Sequence, residues 1–168
     1  MAVSYLRAGR LDDAVASFRT ALTLSPGQLG AGQLMGIALL LKNEPDAALA
    51  AMKQEAGGDW RQIGLAMAYH ALGQVKESDA MLAEVIAKVE EVASYNIAFV
   101  LAFRGEADRA FEWLEKAVHY NDPGLAQIVN IPMFANVHSD PRWLPFLEKL
   151  GKSPKQLASV KFDLRLPD

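Results

Sequence analysis

The stretch GAGQLMG, Gly30 to Gly36, carries three glycines at a spacing close to that of a loop folding its N–H groups round a phosphate. Such a loop needs a strand before it. Here a helical pattern begins inside the stretch itself, so the glycines read as places where helices approach closely and a nucleotide role is rejected. His70, His119 and His138 share no ligand spacing such as i, i+4 on one helix, and the chain has no cysteine. Thiolate metal sites, disulfides and cysteine nucleophiles are excluded together. Ser4 and Ser94 lie in no nucleophile elbow. The acidic pairs Asp12 with Asp13 and Glu90 with Glu91 read as helix starts, where carboxylates favour the positive end of the dipole. None of these groupings supports an enzyme, a metal site or a cofactor.

The totals narrow the field further. The chain has 168 residues and a formal net charge of -3, with Lys and Arg spread thinly, so it carries no basic footprint for nucleic acid or anionic lipid. The apolar runs Leu34 to Leu41 and Ile97 to Phe103 fall short of the ~18 to 20 residues a membrane-spanning helix needs. The opening MAVSYLRAGRLDD lacks the basic start and apolar core of a secretory signal. A cytoplasmic protein is expected, or a periplasmic one if a membrane segment lies upstream in a longer parent chain.

Four segments resemble one another: AGRLDDAVASF, LKNEPDAALAAM, LGQVKESDAML and RGEADRAFEWL. Their turn residues Gly9, Asn43, Gly73 and Gly105 recur at intervals of 34, 30 and 32 residues, which signals stacked supersecondary units. Five residues after each turn stands a small side chain, Ala14, Ala48, Ser78 or Ala110, and four further on a bulky one, Phe18, Met52, Leu82 or Leu114. Those offsets share one helical face. Upstream of each turn the pattern repeats, with Ala2, Gly36, Ala66 and Ala98 small and Tyr5, Leu39, Tyr69 and Leu101 large. Each unit is therefore two amphipathic helices about a short turn, with Pro26 blocking continuation of one helix and Pro45 accepted in the first turn of another.

This order of small, large, Gly, Ala, aromatic, Ala and Pro resembles the tetratricopeptide repeat family. The first unit matches through Ala2, Tyr5, Gly9, Ala14, Phe18, Ala21 and Pro26, and the fourth through Ala98, Gly105, Ala110, Leu114 and Ala117. Units two and three depart from it, with Glu55 and Val85 where the family prefers Ala. The resemblance implies an all-α, right-handed α-α superhelix of about four hairpins, with units near 1–28, 29–58, 59–90 and 91–121. Met1 then falls inside the first helix of its repeat, as in a piece of a longer polypeptide. The concave side of such arrays is lined by the first helix of each hairpin, which selects Gln33, Ile37, Leu40, Ile63, Met67, His70, Tyr95, Asn96, Phe99 and Phe103, with Trp60 as an anchor at the edge. This set lacks the Lys and Arg with which chaperone-binding members clamp a carboxylate. It suits an amphipathic helix or an apolar extended peptide, anchored by aromatics and Met.

After Asn121 the ladder fails, because Pro123, Pro132, Pro141 and Pro145 break the segment into short pieces. A helix capped by Ser139 or Asp140, with Pro141 in its first turn, carries the stripe Trp143, Phe146, Leu147 and Leu150 and ends at Gly151. Ser153 and Gln156 form a capping box that opens another short helix. Through Asp122, Pro123, Gly124, Leu125, Pro132, Phe134, Ser139, Asp140, Pro141, Arg142, Leu147 and Gly151 this region resembles the end-of-array segment of bacterial signalling proteins. That resemblance implies a regulatory appendage. The alternating tail Val160 to Pro167 reads as an extended strand that seals the array or is offered to a partner or second copy. Two functions stay open: recognition of a protein or peptide in the groove, and self-association, including a homodimer, or restraint of an attached output domain.

Overall fold

The structure, a computed structural model, describes residues 1–89 and 91–160. Four helical hairpins follow one another: α1 (Ala2–Arg7) with α2 (Leu11–Leu24), α3 (Ala31–Leu41) with α4 (Pro45–Lys53), α5 (Gly58–Ala71) with α6 (Val75–Val89), and α7 (Ser94–Phe103) with α8 (Ala107–His119). Each first helix packs on its own second helix. Between hairpins, α2 packs on α3, α4 on α5 and α6 on α7, while α3 also meets α5 and α5 meets α7. The hairpins are thus stacked in chain order, with the first helices side by side along one face.

One local device ends every first helix. Gly9, Asn43, Gly73 and Gly105 take φ between 61° and 77°, the left-handed conformation. The next residue then donates back five positions: Arg10 N to Tyr5 O, Glu44 N to Leu39 O, Gln74 N to Tyr69 O and Glu106 N to Leu101 O, each at 2.9 Å. These bonds satisfy carbonyls that a helix end leaves open. Hydrogen-bond geometry at the turn therefore fixes where each second helix begins.

Close approach follows from the small residues. A Cβ on Gly36 would stand 2.6 Å from Met52 Cε and Cγ, and one on Gly64 would stand 2.9 Å from Met52 Cγ, so Met52 fills the gap between two hairpins through two glycines. Met52 is fully buried. In the third hairpin Ser78 replaces the usual Ala, and its buried hydroxyl donates to Ala66 O at 2.6 Å, tying the two helices of that hairpin directly.

The prolines divide the closing segment into two 3-10 stretches, Pro123–Asn130 and Pro132–Val137, followed by α9 (Trp143–Lys149) and α10 (Pro154–Ala158). Pro141 lies outside α9, whose first helical residue is Trp143, because Asp140 holds Arg142 through both its backbone N and its guanidinium. Pro145 is then within the first turn, where no amide donor is needed. The Ser153–Gln156 capping box is present. Glu91 does not start a helix: it follows α6, in the turn before α7, and Glu90 lies outside the described residues. The expected strand Val160 to Pro167 falls outside them from residue 161 onward, and Val160 itself has no regular structure.

Candidate interaction groove

A cavity of about 530 Å³ opens on the face of the first helices. Its walls come from α1 (Val3, Leu6, Arg7), α3 (Gln33, Leu34, Ile37) and α7 (Tyr95, Asn96, Phe99), with Trp60 from the start of α5. The opposite wall is the closing segment from Asp122 to Met133, which turns back across α7. Arg7 donates to the side-chain oxygen of Gln127, joining the first helix to that segment.

Two carboxylates set the geometry. Glu55, 2% exposed, accepts from Gly30 N, Gly32 N and Gly57 N at 2.9 to 3.0 Å and from Gln33 N at 3.2 Å. It sits at the N-terminus of α3, where free N–H groups and the positive end of the dipole favour an anion. GAGQLMG does cradle an anion after all. The anion is the chain's own Glu55, which explains an acid where the repeat pattern prefers Ala. At α7 the same arrangement recurs: Asp122, 7% exposed, accepts from Tyr95 N at 2.9 Å and from Gly124 N at 2.8 Å. Asp122 thereby fixes both the start of α7 and the point where the chain leaves the array.

The expected groove residues divide into three groups. Gln33, Ile37, Trp60, Tyr95, Asn96 and Phe99 line the cavity. Leu40, His70 and Phe103 are half-buried and lie outside it; the His70 and Phe103 rings meet edge-on at 6.2 Å, and Asn136 donates to Phe103 O. Ile63 and Met67 are corrected to core positions, 2% and 0% exposed. Their helix α5 is packed by α3, α4, α6 and α7, which leaves that side of it no free surface. Sequence reasoning passed over the rim: Val3, Leu29 and Val92 stand exposed beside Trp60 at the mouth of the cavity. Leu29, Trp60 and Val92 each stand within two residues of the start of a first helix. That repeated position was the available signal.

Charge is sparse here. Among the described lining residues, Arg7 and Asp122 are the only two with side chains charged at neutral pH, and their charges are opposite. Burial pushes the Tyr95 phenol well above its usual range, and the Asp122 carboxylate adds to the effect. Burial pushes His70 below the ordinary imidazole value, and the Arg104 charge lowers it further. Among the described residues, no group of three or more His, Cys, Asp and Glu could hold a metal ion. Among them, too, no helix is long and apolar enough to cross a membrane.

Two family models, both described as tetratricopeptide repeat, match the chain, one over residues 1–28 and the other over residues 62–95. A search of curated proteins found no match.

Proposed function

We propose, from a chain that carries tetratricopeptide repeats, that it works as a protein-recognition module without chemistry of its own, docking a partner on the face of its first helices. Such repeats in general mediate protein–protein interaction. The observation that carries the reading is the apolar rim. Val3, Leu29, Trp60 and Val92 are 36%, 66%, 41% and 75% exposed, and all four border one concave opening. Large apolar side chains grouped at a cavity mouth favour a partner that covers them, with Trp60 as the aromatic anchor.

The test uses exposed residues so that the fold survives. Leu29→Glu combined with Trp60→Glu should change stability by about 0.5 kcal/mol or less per site, while affinity for a partner captured by the wild type falls more than tenfold. Circular dichroism and quantitative pull-down read the two quantities. Capture unchanged in a folded double variant would contradict the docking face. If the captured partner is a second copy, light scattering should show a wild-type dimer that the double variant dissociates.

A further inference from the structure

Residues 160–166 alternate in kind: Val160, Phe162, Leu164 and Leu166 are apolar, and Lys161, Asp163 and Arg165 between them are charged. An extended chain puts the first set on one side and the second on the other, so the pattern calls for a surface that covers one face only. Among the described residues there is no strand for such a segment to join, which leaves an apolar surface to cover it. The rim of the cavity is such a surface. Leu29 and Trp60 flank one notch in it, since a Cβ on Gly57 would stand 3.3 Å from Leu29 Cδ2 and 3.0 Å from Trp60 Cδ1. We propose that residues 161–168 of this same chain lie across the cavity mouth, with Phe162, Leu164 and Leu166 on the rim, so that a partner must displace them.

The proposal rests on the docking face and names what occupies it before a partner arrives. Reach supports it. Lys152 Nζ donates to Ala126 O at 3.4 Å, which ties the approach to α10 to the closing segment, and Gln127 beside Ala126 lines the cavity. The eight residues beyond Val160 span about 26 Å when extended, whereas packed helices lie ~8 to 10 Å apart, so a tail that starts beside one wall can cross to the other. Charge agrees. The lining sets one cation, Arg7, against one anion, Asp122, and the tail likewise sets Lys161 and Arg165 against Asp163 and Asp168. With Lys161, Asp163 and Arg165 on the outer side, docking buries apolar side chains and leaves those charges in water.

Disulfide trapping in the full chain tests it, because the sequence has no cysteine of its own. Under mild oxidation, Leu29→Cys paired with Leu164→Cys should close within one chain about tenfold faster than Val75→Cys paired with Leu164→Cys. Leu29 and Val75 are both exposed, so each pair leaves the core intact. Val75 begins α6, past the far end of α5, a helix about 20 Å long that starts beside the rim. The single variant Leu29→Cys should also be alkylated several times faster once Phe162→Asp and Leu164→Asp are added to it. The proposal is overturned if the two pairs close at equal rates, if the disulfide joins two chains and so assigns the rim to a second copy, or if the tail changes leave alkylation unaltered. The docking face is judged separately. Should the tail fail these tests while Leu29→Glu with Trp60→Glu still lowers partner capture, the face stands and the tail is excluded from it.

Discussion

Replacing Glu55 by alanine should destabilise the protein by about 4 kcal/mol, because four backbone N–H groups lose their acceptor and three of them belong to the start of α3. The direction is the informative part. Alanine is the residue the repeat pattern prefers at this place, so an argument from pattern alone expects a gain. Glu55→Gln should cost about half as much, since one amide oxygen still accepts while the new NH2 faces donors it cannot bond. Urea unfolding followed by circular dichroism measures both. Hydrogen exchange should locate the loss at residues 30–34 and 57. Glu44→Ala, on an exposed side chain, should change stability by less than about 0.5 kcal/mol.

Gly124→Ala should be the other severe substitution. A Cβ there would stand 2.6 Å from Tyr95 Cγ and closer still to Cδ1. The Tyr95 ring has little room to yield, since it packs edge-on against Phe99 at 5.9 Å and against Phe134 at 5.5 Å. The closing segment must therefore lift off α7, at a cost of about 2 kcal/mol. Hydrogen exchange of residues 125–137 should quicken while α3 to α6 keep their protection. A variant that exchanges like the wild type throughout would show that the segment is not anchored at this contact.

These two sites mark where the sequence stopped being informative. The ladder was legible because every part of it is local: a left-handed residue ends a helix, and small and large side chains recur on a 3.6-residue period whatever lies elsewhere. Glu55 and Asp122 act on N–H groups 22 to 27 residues earlier in the chain. No periodicity reports such a pairing, and against the pattern Glu55 looked like a flaw. The four prolines showed that the closing segment could not form a fifth hairpin, but they carry no information on its course back across α7. Ile63 and Met67 were misplaced for a related reason. Neighbouring positions on a helix differ by about 100° in direction, and α5 has partners on several sides, so the same apolar stripe fits groove or core equally well.

The stacking also explains why α7 reads as apolar on every side. All eight of its residues from Tyr95 to Ala102 except Asn96 are buried, because α5, α8 and the closing segment each cover part of it. In α8, by contrast, Ala110, Phe111, Trp113, Leu114 and Ala117 form one buried face. Lys116 stands 4.0 Å over the ring of Trp113. Burial on one side gives a clear amphipathic signature, while burial on several erases it. The first helices, which position the candidate groove, are thus the ones whose free face is hardest to read from sequence.

Site-specific photo-crosslinking in cells tests the docking face most directly. A photoreactive residue in place of Trp60, at the cavity mouth, is compared with one in place of Leu24, which is 82% exposed at the end of the second helix α2. The account predicts a discrete protein adduct from position 60 and none from position 24. Adducts from position 24 with none from position 60 would contradict it.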